Sequence, residues 1–179
     1  MQIQTSRFGT IDIADDKLLV IEGGLIGFPD LERFVLLEHR PGSPLHWLQS
    51  VDDPAMAFVV ANPLSFFPDY TVDVNENEID SLAIENVDSV ALLAILTVRS
   101  GGRDVTANLV GPLLVNADNL RGRQLVLDRP DLSTRHVVVS APIEQSLAAS
   151  PIAGLDDDDF EIEMPLVGSR SSHSYERVR

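Results

Sequence analysis

The 179-residue sequence contains no cysteine, and basic residues are scarce. Without thiols, disulfide bonds and thiolate metal sites are excluded, and a reducing cytoplasm is the natural compartment. Only 13 lysine and arginine residues accompany 28 acidic residues, which gives a net charge of −15. A chain this acidic repels nucleic-acid phosphate and anionic membrane, so we expect direct binding to neither. The charge serves either solubility alone or attraction to a basic protein partner.

Long apolar runs are also missing. The longest, 90–96, is far shorter than a membrane span. The first residues, MQIQTSRFGTIDI, alternate polar and apolar side chains and lack the continuous apolar region of a signal peptide. Both observations favour a cytoplasmic protein.

Most of the chain consists of short strand-like segments separated by turn residues. We predict strands at 8–13, 17–21, 33–37, 45–51, 56–61, 70–74, 89–98, 104–115, 124–127 and 136–140. We predict a turn at 52–54, Asp-Asp-Pro, because Asp side chains can cap a turn and Pro fixes φ. This pattern predicts a mainly β protein, a compact antiparallel β-barrel-like or sandwich fold with one or two short helices and a flexible C-terminal tail.

Two segments carry helix signals. Asn75 can cap a helix in which Glu78 follows three residues later, and Ile79, Leu82 and Ala83 then share one face. A weaker candidate runs over 142–149.

The composition changes near Pro151, which divides the chain into a β domain (1–150) and an acidic, Ser-rich tail (151–179) that we expect to be disordered. The run Asp156–Asp159 lacks the ligand spacing of a calcium loop. Residues 160–165, Phe-Glu-Ile-Glu-Met-Pro, alternate apolar and acidic side chains and could pair as a strand with a partner's edge. The alternative is a solvated terminus.

The sequence offers little for catalysis. The four histidines lack metal-ligand spacing, no serine lies in a G-x-S-x-G elbow, and the glycines of 23–27 form a turn rather than a phosphate loop. Asp52 and Asp53 are adjacent and would face different ways. We therefore predict no catalytic residue, metal or cofactor. A hydrolase using paired carboxylates and a structural ligand-binding β module remain the alternatives.

Aromatic residues and prolines are concentrated in 47–70. Adjacent Phe66 and Phe67 cannot both point inward on a strand, so one of them should reach the surface unless local helix buries both. The segment is either core or a presented recognition edge. A local basic cluster is either a solvated face or a dock for an acidic segment of a partner: Arg121, Arg123, Arg129 and Arg135.

These motifs together resemble the bacterial flagellar assembly factor family of the FliW type. The matching stretches are Gly-Leu-Ile-Gly-Phe-Pro-Asp-Leu at 24–31 with Phe34, Trp-Leu-Gln-Ser-Val-Asp-Asp-Pro at 47–54 with Ala57 and Phe58, Phe-Phe-Pro-Asp-Tyr at 66–70 with Pro63, Asn-Leu-Val-Gly-Pro at 108–112, Asn116, Arg121, Gly122, and Gln-Leu-Val-Leu at 124–127. The resemblance spans about residues 3 to 140. Gly111 replaces the alanine that the family usually has, and the acidic tail looks longer than is typical.

The resemblance implies a non-enzymatic regulator that binds two proteins. One is the carbon storage regulator (CsrA), a basic RNA-binding dimer that represses flagellin translation. The other is flagellin, whose export frees the assembly factor to sequester CsrA. Antagonism could be steric, electrostatic at short range, or a shift in the conformation of CsrA. We expect the free protein to be a monomer.

Candidate contact residues follow from positions prone to exposure. For flagellin, which we expect to dock a helical terminus on apolar surface, they are Phe28, Pro29, Phe66, Phe67 and Tyr70. For CsrA they are Asp52, Asp53, Asp69, Asp73, Glu76 and Glu78.

Overall fold

A computed structural model describes residues 1–99 and 104–138. The predicted tail, the helix at 142–149 and the end of the 1–150 domain lie outside the described residues. The elements are β1 (Gln2–Thr5), β2 (Gly9–Asp12), β3 (Leu19–Ile21), β4 (Arg33–Glu38), β5 (Leu45–Ser50), β6 (Ala57–Ala61), α1 (Glu76–Ser81), β7 (Val90–Arg99), β8 (Asp104–Ala107), β9 (Leu113–Asn116), β10 (Arg121–Gln124) and β11 (His136–Val137).

Seven strands close into a barrel in the order β3-β4-β5-β6-β7-β9-β10, with β10 returning to β3. The ring pairs are antiparallel except β10 with β3, which is parallel. Closure depends on the ten-residue β7, whose first half pairs with β9 and whose second half pairs with β6 and β8. The prediction of a mainly β, barrel-like fold is confirmed.

Apolar residues fill the barrel and also cover its outside, because many strand residues are buried on both faces of the sheet. The interior cluster includes Ile21, Phe34, Leu48, Val60 and Leu93. The β1–β2 hairpin, the segment around 64–72 with β11, and the end of α1 each bury a cluster on the outer surface. The covering segments thus stabilise a small barrel by adding to its buried area.

The helix start is confirmed as predicted. The Asn75 side chain accepts from the main-chain N–H of Glu78, and the Glu78 carboxylate accepts from the N–H of Asn75. This reciprocal pair satisfies two N–H groups that would otherwise lack partners. None of the helices in the described ranges has the length and apolar character needed to cross a bilayer.

Three strand predictions are wrong. The predicted strand at 124–127 is displaced, because β10 runs over Arg121–Gln124 and ends where the prediction begins. Residues 70–74 form no strand. Burial still alternates along them, with Tyr70 and Val72 packed against the barrel, because the extended segment lies across the outside of the barrel without pairing. The predicted strand at 104–115 is interrupted at 108–112, where Asn108 Oδ1 accepts from the N–H of Gly111 at 3.0 Å. This side-chain contact offers the backbone a turn in place of the ladder.

Candidate functional site

A loop over residues 22–31 lies across one end of the barrel. Leu25 and Phe28 exchange main-chain hydrogen bonds (3.2 and 2.7 Å), so Ile26 and Gly27 form the tip of a tight turn. Gly24 has φ +68°, and a Cβ there would lie 2.6 Å from the carbonyl oxygens of Phe28 and Pro29. Only glycine fits this approach. The turn buries Leu25 while Ile26 and Phe28 remain 62% and 41% exposed.

Beside the tip lies an apolar hollow of about 320 Å³, which we call the barrel mouth. The Phe28 ring packs edge-on against Phe58 (5.4 Å between centroids), and Phe58 packs against the buried Phe34 (6.5 Å). The mouth therefore continues into the barrel interior. Its lining residues are Leu25, Ile26, Phe28, Phe58, Ile95, Asn108, Val110, Gly111, Gln124, Val126 and Thr134.

Gln124 fixes the shape of the mouth. Its Oε1 accepts from the N–H of Ile26 at 2.7 Å, and its Nε2 donates to the carbonyl of Gly111 at 2.9 Å. One amide thus connects the 22–31 loop to the 108–112 turn across the opening. The lining contains amides, a hydroxyl and apolar groups but no ionisable side chain. Such a surface suits recognition of an apolar group rather than acid–base chemistry.

Three of the four arginines in the predicted basic cluster, Arg121, Arg123 and Arg129, form ion pairs. Glu22 accepts from Arg121 and from Arg123 (3.1 Å), on the side of the loop away from the mouth lining. Arg129 pairs with Asp131, which raises the pKa of Arg129, and also donates to Thr71. These arginines are therefore engaged at two separate places rather than forming one face.

The predicted flagellin contacts lie in different environments. Phe28 is exposed in the mouth lining, and Pro29 is exposed in the same loop but outside that lining. Phe66 and Phe67 follow a short 3-10 helix (Pro63–Ser65) and both pack, half-buried, on the same outer cluster. The prediction was that one of the two rings would reach the surface unless local helix buried both. The 3-10 helix provides that exception, because it lets both rings pack on the same cluster. Tyr70 is buried, and burial raises its pKa to about 12.

Several of the acidic residues predicted to contact CsrA accept hydrogen bonds within the fold. Asp52 accepts from the main-chain N–H groups of Glu32 and Arg33 (2.8 and 2.6 Å) and from Arg33 Nε (2.6 Å). Partial burial opposes its ionisation, but these hydrogen bonds outweigh burial and hold the pKa of Asp52 below its ordinary value. Asp53 Oδ1 accepts from the N–H of Ala55, which confirms the capped turn.

The remaining acids form part of a strongly negative region. Asp69, Asp73 and Glu76 are exposed. Residues 41–98 contain nine acidic residues and no lysine or arginine. A basic partner would meet little local repulsion here, and an acidic partner would meet much.

Sequence reasoning missed Ile26 and Val126, the two most exposed large apolar residues of the mouth. Both had a sequence signal. Ile26 lies next to Gly27 in a turn, where an apolar side chain cannot be buried easily, and Val126 lies between Leu125 and Leu127, so alternation directs it outward. The contribution of Ile95 and Val110 had no such signal, because it depends on barrel closure.

Comparison with known proteins identifies the family. The FliW protein family model matches residues 2–138. The chain belongs to the FliW family. It is 36% identical over 157 residues to the flagellar assembly factor FliW of Alkaliphilus metalliredigens, covering 86% of this chain and 97% of that one. It is 35% identical over 140 residues to FliW of Thermoanaerobacter pseudethanolicus, covering 78% and 93%.

A solved structure agrees with this assignment. The crystal structure of the flagellar assembly factor FliW superposes with a TM-score of 0.70 at 36% sequence identity, covering 76% of this chain and 96% of that chain. FliW proteins are thus similar to this chain in sequence and in fold. In the part of the chain that the structure describes, no group of three or more His, Asp or Glu residues is placed to hold a metal ion.

Proposed function

We propose that this protein is a cytoplasmic, non-enzymatic flagellar assembly factor that binds flagellin and CsrA and couples flagellin translation to filament assembly. Membership of the FliW family supports this role. The structural observation that best supports this role is the barrel mouth, an open apolar hollow of about 320 Å³ whose lining contains no ionisable side chain. A binding protein requires such a surface, whereas an acid–base enzyme requires convergent titratable groups.

Flagellin docks at the mouth through an apolar side chain of its helical terminus. Ile26 and Phe28 form an apolar rim, and Phe58 forms the floor. A helix that places one large apolar residue in the hollow and packs its neighbours on the rim uses the mode known for helix-in-groove recognition. Phe66, Phe67 and Tyr70 support the barrel instead, because they pack on an outer cluster.

CsrA binds the acidic region, and its basic surface supplies the complementary charge. The exposed Asp69, Asp73 and Glu76 are the proposed contacts. Asp52, Asp53 and Glu78 shape the turns and the helix start, because each carboxylate accepts main-chain hydrogen bonds. Screening acts over about 8 Å at physiological salt, so affinity for CsrA should fall as salt is raised.

Isothermal titration with purified flagellin and CsrA tests both surfaces. Ile26→Ser should weaken flagellin binding at least tenfold and leave CsrA binding within twofold. Val137→Ser is the matched control, because Val137 is equally exposed (60%) and is not part of the mouth lining. Asp73→Asn with Glu76→Gln should weaken CsrA binding and flatten its salt dependence.

Competition then separates partner switching from independent binding. Adding flagellin to the complex with CsrA should release CsrA. If neither protein binds the wild-type chain, or if CsrA affinity is unchanged between low and high salt, the corresponding part of the proposal is wrong.

A further inference from the structure

Two side-chain amides in the barrel mouth have orientations that main-chain groups fix. Asn108 Oδ1 accepts from the N–H of Gly111 at 3.0 Å, and Gln124 Oε1 accepts from the N–H of Ile26 at 2.7 Å. Because a main-chain N–H can only donate, each of these contacts requires the amide oxygen. The other branch of each amide, Asn108 Nδ2 and Gln124 Nε2, is therefore a hydrogen-bond donor.

Gly111 leaves a notch between these two nitrogens. A Cβ at position 111 would lie 3.1 Å from Asn108 Nδ2 and 3.1 Å from Gln124 Nε2. An acceptor atom above the Cα of Gly111 therefore has two donors next to it. The φ of Gly111 is not positive, so the backbone conformation does not require glycine here. What glycine provides is the open space.

Both donors are available to a ligand. Asn108 Nδ2 donates to no group within residues 1–99 and 104–138. Gln124 Nε2 uses one of its two N–H groups on the carbonyl of Gly111, at 2.9 Å. An apolar group that fills the mouth removes water from these donors, and a buried donor without an acceptor costs free energy. A ligand that fits the mouth must therefore supply an acceptor at the notch.

Charge selects a neutral acceptor. The mouth lining contains no ionisable side chain that could offset a carboxylate, and the whole chain has a net charge of −15. An amide carbonyl is neutral, and its oxygen can accept two hydrogen bonds. Any polypeptide that places an apolar side chain in the hollow also brings the main-chain carbonyl attached to the same Cα. A main-chain carbonyl is thus the acceptor that accompanies every apolar occupant.

We propose that the notch formed by Asn108, Gly111 and Gln124 binds a main-chain carbonyl oxygen of the polypeptide whose apolar side chain fills the barrel mouth. That this polypeptide is flagellin rests on the proposed function. The notch makes recognition depend on a hydrogen bond as well as on apolar contact, so an apolar group without a carbonyl is a poor ligand. A chain with alanine at position 111 lacks the site.

A small amide tests the site without either protein partner. The probe is N-isopentylacetamide, which joins a leucine-like alkyl group to one secondary amide. Its comparator is the corresponding thioamide, whose sulfur is a weaker hydrogen-bond acceptor. Titration of the full-length protein is followed by NMR at the side-chain NH₂ groups. We expect saturable shifts of the Asn108 and Gln124 signals, and an affinity for the amide about threefold or more above that for the thioamide.

Asn108→Asp removes one donor and keeps the oxygen that accepts from Gly111, so the turn is preserved. We expect it to lower the affinity for the amide about tenfold. The matched control is Asn62→Asp, which should bind the amide as the wild type does. Asn62 is also half-buried, its Oδ1 also accepts from a main-chain N–H (that of Leu64, at 2.9 Å), and it lies outside the mouth lining.

Gly111→Ala tests the notch by filling it. The new methyl group occupies the space next to both donors, so the preference for the amide over the thioamide should disappear. The main-chain NMR signals of strands away from the mouth report whether this variant is folded. If it does not fold, Asn108→Asp and its control still decide the question.

Three results overturn the inference: no saturable shift of the two side-chain signals, equal affinities for amide and thioamide in the wild type, or wild-type affinity in Asn108→Asp. Tighter binding of a primary amide, 4-methylpentanamide, assigns the notch to a side-chain amide and overturns the main-chain assignment. Neither flagellin nor CsrA is present, so these outcomes are independent of the proposed function. Repeating the Asn108→Asp and Asn62→Asp comparison with flagellin then tests that function separately.

Discussion

The hydroxyl of Tyr70 donates a hydrogen bond to the main-chain carbonyl of Leu109 at 2.8 Å, and both residues are buried. The bond joins the segment crossing the outside of the barrel to the start of the 108–112 turn. Because that turn also accepts from Gln124, the contact connects the outer cover of the barrel to the wall of the mouth.

Tyr70→Phe should destabilise the protein by about 1–2 kcal/mol, because it leaves a buried carbonyl without its donor while keeping the ring. Urea unfolding at neutral pH measures this change. The control is Tyr175→Phe, the same chemical change at the only other tyrosine, which should leave the unfolding free energy unaltered. Equal stability of Tyr70→Phe and the wild type would show that the bond contributes nothing.

The same variant should change how stability depends on alkaline pH. Burial raises the pKa of Tyr70 to about 12, above its ordinary value of 10.0. The folded state therefore favours the protonated phenol, and this contribution is fully present below pH 10 and is lost as pH rises through 12. Between pH 10 and 11.5 the wild-type free energy of unfolding should fall more steeply than that of Tyr70→Phe, and parallel curves would contradict the assignment.

Asp52→Asn should cost about 1–3 kcal/mol at neutral pH, because the charged carboxylate accepts from two N–H groups and from the Arg33 side chain. Its pKa is lowered in the fold, so its contribution is present above the ordinary carboxyl pKa and is lost as pH falls through the folded value. Acid should therefore destabilise the wild type more steeply than Asp52→Asn below about pH 4.

Asp53→Asn is the matched control for that substitution. Asp53 is exposed, and its carboxylate accepts from the N–H of Ala55, a hydrogen bond that an Asn side chain can also make. Thermal unfolding at pH 7 should place Asp53→Asn within about 0.5 kcal/mol of the wild type. If Asp53→Asn lost more stability than Asp52→Asn, the hydrogen bonds of Asp52 would not be what stabilises the start of β4.

Gly24→Ala should disrupt the barrel mouth, whereas Gly23→Ala should only strain it. Both glycines have positive φ (+68° and +76°), which costs alanine about 1–2 kcal/mol. A Cβ at position 24 also meets two carbonyl oxygens at 2.6 Å, and a Cβ at position 23 meets nothing within 4 Å. Unfolding free energies should therefore fall clearly further for Gly24→Ala, and only this variant should lose the flagellin binding that we propose for the mouth.

Local patterns predicted the elements whose causes are local. The start of α1 needs only Asn75 and Glu78, three residues apart, and both capping bonds form. The cores of β4, β5 and β6 follow from short β-branched and apolar runs between turn residues. The prediction failed at 70–74, because alternating burial there reflects packing against a barrel that the sequence window does not include.

The amino-acid sequence by itself determined the mainly β character, the helix start, the acidic surface and the family, because each depends on composition, short spacings or ordered motifs. Tertiary structure alone decided the site. Barrel closure through β7 brings Phe28, Phe58, Ile95 and Val126 together from four separate segments, and the outer surface of the barrel buries Tyr70. Such convergence depends on pairings between residues far apart in the chain, which no local pattern specifies.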